Sequence, residues 1–120
     1  MYFEFQEQPR HSVWIPTVDV CERPSEILIL IEIPGVKRSD VQLAWNDGVL
    51  IISGLKKQQS DDEADARYLC VERAYGNFRR EISIKIPVDH RNAKAELKNG
   101  LLRIRLPKRT EAEVSTIPII

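Results

Sequence analysis

The chain lacks nearly every motif that would point to catalysis or to a cofactor. Its 120 residues contain neither of the glycine-rich phosphate-binding patterns, GxxxxGKS/T and GxGxxG, and no HExxH metal motif. The two histidines, His11 and His90, have no nucleophile at motif spacing and stand among polar residues. Asp61-Asp62-Glu63 lacks the glycine and the ligand spacing of a calcium loop. We therefore expect a protein that is not an enzyme and that uses no cofactor or metal.

Net charge and long apolar runs are also missing. Lys+Arg and Asp+Glu both number 18, so the formal net charge is zero. Nucleic-acid binding would need a basic excess with interleaved aromatic residues, and a membrane span would need an apolar run of about 20 residues. We expect neither nucleic acid nor a membrane as a partner. Near neutrality also removes one protection against self-association.

Cysteine is scarce, and the two that occur, Cys21 and Cys70, match no metal spacing. With no charged and then apolar leader at the amino terminus, they indicate a reducing compartment, so we expect the cytoplasm. The simplest interpretation of each is a small apolar strand residue. The alternative is a redox-sensitive cross-link between Cys21 of one subunit and Cys70 of another.

What the sequence does contain is alternation with a period of two. Isoleucines occupy every second position of Ile27–Ile33, and Ile82, Ile84 and Ile86 repeat the pattern. Turn sequences separate such segments: Pro34-Gly35, Asn46-Asp47-Gly48 and Asn99-Gly100. Many short strands with turns between them and almost no helical pattern predict one all-β domain, an immunoglobulin-like antiparallel sandwich.

Three segments break this alternation. Residues 1–16 carry four aromatic residues, Tyr2, Phe3, Phe5 and Trp14, with no clear period, which fits either a terminus docked on the domain or an arm that contacts unfolded proteins. Residues 56–76 form a connection far longer than a hairpin needs, with an apolar strand-like piece at Tyr68–Val71. After Lys108 the chain is polar until it ends in Ile117-Pro118-Ile119-Ile120.

The hairpin at 93–108 introduces a family resemblance. Its pattern Ala95-x-x-x-Asn99-Gly100-Leu101-Leu102, closing with Leu106-Pro107-Lys108, resembles the signature of the α-crystallin domain of small heat shock proteins, with leucine at 101 where the family usually has valine. Further pieces match in order: Trp14-x-Pro16-x-Val18-Asp19-Val20, Ile33-Pro34-Gly35-Val36, Asn46–Gly54 and Glu72–Arg80.

The resemblance implies a domain organisation and a function. Residues 1–16 would be a short arm, 17–108 the α-crystallin domain with a strand-exchange loop at 56–76, and 109–120 a carboxyl-terminal extension. The implied activity is that of an ATP-independent holdase, which binds partly unfolded proteins and prevents their aggregation. The alternative is a p23-like co-chaperone or scaffold sandwich that binds a folded partner. The long loop and the Ile-Pro-Ile tail argue against it.

The resemblance also implies how subunits associate. In the bacterial and plant type of dimer, the strand Tyr68, Leu69, Cys70 and Val71 would leave its own subunit. It would pair with the first strand of the partner, formed by Val18, Asp19, Val20, Cys21 and Glu22. Arg80 would lie near this interface, the alternative being a solvated strand residue. The short arm favours dimers or small oligomers.

The tail residues Ile117, Pro118 and Ile119 resemble the family's isoleucine-x-isoleucine motif. An extended segment points both isoleucines the same way, and Pro118 favours extension. The implied receiving groove lies between two edge strands, with Leu50 and Ile52 on one and Leu102 and Ile104 on the other. The arm residues Tyr2, Phe3, Phe5 and Trp14 would contribute to client contact.

Overall fold

Two antiparallel four-stranded sheets pack face to face in the computed structural model, which describes residues 3–5, 14–58, 67–109 and 117–120. One sheet has the strand order β1-β6-β5-β4 and the other β2-β3-β8-β7. The predicted all-β sandwich is therefore confirmed. In chain order the strands are β1 Phe3–Phe5, β2 Val18–Glu22, β3 Glu26–Glu32, β4 Val41–Asn46, β5 Val49–Lys56, β6 Gly76–Ile84, β7 Lys94–Lys98 and β8 Leu101–Pro107.

The core follows from the alternation in β3 and β8. Ile29 of β3 pairs with Ile104 of β8, and Ile31 pairs with Leu102, so the alternate side chains of both strands share one face. These residues are buried against Leu50, Ile52 and others of the opposite sheet. Each fully buried aliphatic side chain contributes about 1.5–3 kcal/mol relative to exposure, which makes this shared face the main source of stability.

The two predicted hairpin turns form where asparagine, aspartate and glycine indicated them. Asp47 and Gly48 have φ of 48° and 79°, and Asn99 and Gly100 have φ of 53° and 76°. Two successive residues in the left-handed region define the turn type that matches the twist of a hairpin. At Gly100 space is also limiting, since a Cβ would lie 2.9 Å from the Cα of Pro34.

The amino-terminal segment differs from the sequence prediction. Residues 3–5 form a strand whose backbone pairs with β6, from Phe3 opposite Ile84 to Phe5 opposite Ile82. The sequence has no strand period here, because an edge strand of three residues is determined by the neighbour it pairs with rather than by its own pattern. Tyr2 and residues 6–13 lie outside the described residues.

In the described connections, the helical structure consists of single turns of 3₁₀ helix at Arg38–Asp40 and His90–Asn92. Across the described ranges, no helix is long and apolar enough to cross a membrane. Within the same part of the chain, no three histidine, cysteine or acidic residues are grouped as a metal site would require.

Candidate interaction surfaces

One long side of the sandwich is closed by the segment that precedes β2. The backbone N–H of Trp14 donates to the carbonyl of Asn77, at 3.4 Å, beside the first residues of β6. Three residues later, the carbonyl of Thr17 accepts the N–H of Glu32 in β3 at 3.1 Å. Because β6 and β3 belong to different sheets, residues 14–17 connect the two sheets along this side.

Trp14 belongs to this closure and not to an arm. Its indole N–H donates to the carbonyl of Gly76 at 2.9 Å, and its ring centroid lies 5.0 Å from that of the buried Phe78. The side chain is partly buried against the hydrophobic core. Trp14 therefore agrees with the alternative of a terminus docked on the domain, because its polar and apolar parts are both engaged there. Its contact with clients stays a prediction. The side chains of Tyr2, Phe3 and Phe5 lie outside the description.

Arg80 supports the same closure from β6. One guanidinium nitrogen donates to the carbonyl of Pro16 at 2.8 Å, so the side chain reaches across to the segment before β2. Burial lowers the pKa of Arg80 from its ordinary value, although the group stays charged at any physiological pH. Arg80 is therefore not the solvated strand residue of the alternative interpretation. Its contact with Pro16 lies next to β2, the strand expected to meet a partner.

Lys56 is a buried cation that the sequence prediction missed. It ends β5 with its Nζ 5.4 Å from the centre of the Trp14 ring. Burial, and secondarily the charge of Arg73, lowers the pKa of Lys56. Strand parity could have found it, because Leu50, Ile52, Gly54 and Lys56 share one face when side chains alternate.

The opposite long side of the sandwich is open. It is bordered by β4, at the edge of one sheet, and β7, at the edge of the other. Trp45 of β4 stacks on His90 just before β7, with ring centroids 5.5 Å apart, which places the two edges on the same side. Pairing with β5 and β8 turns five residues of these edges toward the interior: Val41, Leu43, Trp45, Ala95 and Leu97.

The exposure of these inward-facing residues defines a groove. Leu43 is 38% exposed although its cross-strand partner Ile52 is fully buried, and Ala95 is exposed although its partner Ile104 is buried. Inner side chains of both edge strands therefore remain accessible along this side. We call the surface formed by Val41, Leu43, Trp45, Ala95 and Leu97 the β4–β7 groove.

This groove is not the one the sequence predicts. Leu50, Ile52, Leu102 and Ile104 are each at most 4% exposed and belong to the core. Their strands, β5 and β8, are interior strands, each with a neighbour on both sides. The prediction that β5 and β8 are edges is wrong, because β4 and β7 add outside them and cover their inner faces.

The two borders of the groove differ in charge. β7 carries Lys94, Glu96 and Lys98 at alternate positions, a pattern that discourages pairing with another strand. β4 has the sequence VQLAWN and no charged residue. Its outer edge has no strand partner in the described part of the chain. An extended segment would therefore pair with β4 in preference to β7.

The predicted exchange segment forms no strand within its own chain. Tyr68, Cys70 and Val71 are exposed, and Leu69 is 85% exposed. β2 pairs only with β3 among the described strands, so its other edge is available. Cys21 and Cys70 are both exposed free thiols in the single chain.

The carboxyl-terminal residues are also exposed. Ile117, Ile119 and Ile120 have nearly complete solvent access, and Pro118 is exposed between the first two. Residues 110–116 lie outside the described part of the chain. The tail isoleucines thus contribute nothing to the core of their own domain.

The comparison with known families decides the identity. A model of the Hsp20/alpha crystallin family matches residues 19–120. The chain belongs to the Hsp20/alpha crystallin family. Membership of this family supports ATP-independent chaperone function, and nothing in the fold or the comparisons favours the p23-like alternative.

Individual small heat shock proteins agree with the assignment. Small heat shock protein C4 of Rickettsia felis is 33% identical over 117 residues, which cover 98% of this chain and 71% of that protein. The structure of a small heat-shock protein from Xylella fastidiosa has a TM-score of 0.78 at 28% identity, covering 90% of this chain and 98% of that one. Heat shock protein 16.0 from Schizosaccharomyces pombe has a TM-score of 0.73 at 33% identity, covering 89% and 76%.

Proposed function

We propose that this small heat shock protein binds partly unfolded proteins through its β4–β7 groove and that its own tail occupies the same groove in the resting assembly. The observation that carries the proposal is the exposure of inward-facing Leu43. An apolar groove beside an uncharged strand edge suits an extended apolar segment, with backbone hydrogen bonds supplied by the strand and side-chain contacts by the groove.

Tail binding by a single chain would be weak. Burying Ile117 and Ile119 gives roughly 3–6 kcal/mol in gross terms. Association costs on the order of 4–15 kcal/mol in lost freedom, which cancels most or all of this gain. Several tails and grooves in one assembly would reinforce one another by avidity. Contacts of this kind open on heating and free the groove for clients.

The same chain would form a dimer by strand exchange. The exposed segment Tyr68–Val71 has unpaired backbone groups in its own subunit, and the open edge of β2 offers partners for them. In this dimer Val18–Glu22 receives the segment from the partner subunit and Arg80 lies close to the interface. Each dimer then carries two tails and two grooves, the minimum for avidity.

The remaining expectations concern the arm and the cellular setting. Tyr2, Phe3 and Phe5 are proposed to add aromatic contacts to bound clients. Client proteins and further copies of the chain are the proposed partners. The zero net charge gives no reason to add nucleic acid or a membrane surface. A chain with free thiols at Cys21 and Cys70 suits the cytoplasm.

The decisive experiment compares two leucines of similar exposure. Leu43→Ser changes the groove, whereas Leu55→Ser changes a leucine that is 36% exposed on the outer face of the same sheet. We expect Leu43→Ser to weaken suppression of the thermal aggregation of a heat-labile enzyme, without ATP, by about tenfold, the effect of losing about 1.4 kcal/mol of binding. Leu55→Ser should match the unchanged protein.

Native mass by light scattering tests the role of the tail. The double change Ile117→Ala and Ile119→Ala should reduce assemblies to dimers while leaving the groove able to bind clients. Leu43→Ser should also yield dimers, because it removes the receiving side of the same contact. An unchanged mass in both variants, or equal loss of suppression in Leu43→Ser and Leu55→Ser, would contradict the proposed groove.

A further inference from the structure

The closed side of the sandwich contains an unneutralised charge. Lys56 is only 7% exposed, and in the described part of the chain no carboxylate lies within ion-pair distance of its Nζ. Burial lowers the pKa of Lys56, and the charge of Arg73, which has the same sign, lowers it further. The Lys56 side chain is largely covered, whereas its Nζ is not among the enclosed polar atoms of the described residues, so the ammonium reaches solvent while burial still disfavours its charge. A partly desolvated ammonium is stabilised by a carboxylate that comes close to it.

The surroundings of Lys56 hold the ammonium in place. Its Nζ lies over the ring of Trp14, which is fixed by the hydrogen bond to Gly76. At Gly35 a Cβ would approach the Lys56 Cε to 3.2 Å, so the glycine leaves room for the lysine stem. An aromatic ring and a turn glycine thus position a cation that its own chain does not neutralise.

The location of Lys56 indicates which carboxylate of a partner subunit could reach it. Lys56 touches Trp14, and the segment from Trp14 leads directly into β2, the strand proposed to receive the exchange segment. If the incoming segment runs antiparallel to β2, its carboxyl end comes to the Val18 end of β2, beside Trp14. The residue that follows Val71 is Glu72, which is exposed and forms no ion pair among the described residues of the single chain. A parallel arrangement would bring Arg67 to the same place, where Lys56 would repel it.

We propose that Lys56 is a carboxylate-binding residue of the dimer interface and that its ligand is Glu72 of the partner subunit, in an antiparallel pairing of the exchange segment with β2. The inference rests on the proposed strand-exchange dimer and adds its direction and a specific ion pair. Because a two-fold interface repeats every contact, each dimer contains the pair twice. Because this ion pair would stabilise the dimer, a change at either Lys56 or Glu72 should weaken dimerisation.

A double-mutant cycle tests the pair. Lys56→Met, Glu72→Gln and the double variant are compared by the dimer dissociation constant from sedimentation, in the Ile117→Ala/Ile119→Ala chain so that tails do not contribute. Met retains the apolar stem that packs on Trp14. We expect Glu72→Gln alone to raise the dissociation constant at least tenfold. In the Lys56→Met background, the same Glu72→Gln change should have almost no effect.

Two further variants make the result decisive. Arg67→Gln is the matched control at the other end of the segment, and it should leave the dissociation constant unchanged. Leu69→Asp tests the exchange itself, since Leu69 is exposed in the single chain and its change should not affect folding. If Leu69→Asp leaves dimers intact, the exchange dimer and this inference both fail. If Leu69→Asp gives monomers while Lys56→Met and Glu72→Gln act additively, the ion pair alone is overturned.

Discussion

The two long sides of this sandwich are completed in different ways. On the closed side, residues 14–17 connect the sheets through backbone hydrogen bonds, the Trp14 indole and the Arg80 guanidinium. On the open side, the edge strands β4 and β7 expose apolar inner side chains such as Leu43. The closed side is therefore held by directional hydrogen bonds within the chain. The open side exposes apolar surface, whose contacts depend little on direction.

This difference suits the two kinds of association proposed above. The hydrogen bonds of the closed side fix the segment from Trp14 to Pro16, which leads into β2, the strand proposed to receive the partner's exchange segment. Apolar surface is non-directional and binds many extended segments with modest affinity, which suits tails and clients. The proposed function needs both, because in it the dimer persists while the client surface opens and closes. If this comparison holds, the stability of the domain should depend on the hydrogen bonds and the close packing of its closed side.

The largest expected effect comes from Gly54→Ala, beneath the closed side. A Cβ at Gly54 would lie 2.3 Å from the carbonyl oxygen of Asp40 and 2.6 Å from the Phe78 ring, which also packs on Trp14. We expect a loss of about 3 kcal/mol in the free energy of unfolding, measured by urea denaturation, because neither neighbour can move freely. Ser53→Ala, one residue away and partly exposed, is the control and should change stability by about 0.5 kcal/mol or less. A loss below about 1 kcal/mol for Gly54→Ala would show that this side tolerates repacking.

A medium effect is expected from the indole of Trp14. Trp14→Phe keeps an aromatic ring on Phe78 but removes the N–H that donates to Gly76 at 2.9 Å. The lost hydrogen bond, with its carbonyl left partly buried, should cost about 1–2 kcal/mol in denaturant unfolding.

Trp45→Phe is the matched change on the open side. In the described residues the Trp45 indole makes no hydrogen bond, so only its stacking on His90 is altered. We expect a loss of about 0.5 kcal/mol. Equal losses in the free energy of unfolding for Trp14→Phe and Trp45→Phe would mean that the Trp14 hydrogen bond does not stabilise the closed side.

The strands and turns could be predicted from sequence because they depend on local patterns. Alternating isoleucines and leucines in β3 and β8 determine which face is buried, and Asn99-Gly100 supplies the left-handed backbone that the turn requires. Family motifs then indicated the sandwich, and the fold agrees. Each of these inferences depends only on neighbouring residues or on the order of family motifs along the chain.

Edge and interior strands could not be distinguished from the same patterns. Leu50 in β5 and Leu43 in β4 both stand in alternating apolar positions, yet one is buried and the other lines the groove. The difference arises from sheet order, which places β4 outside β5 and is a property of the whole chain. For the same reason, the pairing of Phe3–Phe5 with β6 left no signal in its own sequence.

The smallest expected effect is a gain in stability, because partial burial of the Lys56 charge is unfavourable in the single chain. In a monomeric Leu69→Asp background, Lys56→Met should raise the free energy of unfolding by about 1 kcal/mol, since it removes a buried charge and keeps the apolar stem. Lys57→Met is the control: this exposed neighbour pairs with Asp40 at 3.4 Å, and its loss should change stability by about 0.5 kcal/mol or less.

The pH dependence of stability separates a charge effect from a packing effect at Lys56. Its pKa is lowered by folding from an ordinary value of 10.5, so between the two values the unfolded chain binds more protons than the folded one. The free energy of unfolding of the monomer should therefore rise with pH between the folded and unfolded pKa values of Lys56. Lys56→Met should abolish this rise. In the dimer, a carboxylate from Glu72 of the partner subunit would favour the charged lysine and remove this rise. A monomer whose stability has the same pH slope with and without Lys56 would show that the lysine is not electrostatically strained, and the reason for a partner carboxylate would disappear.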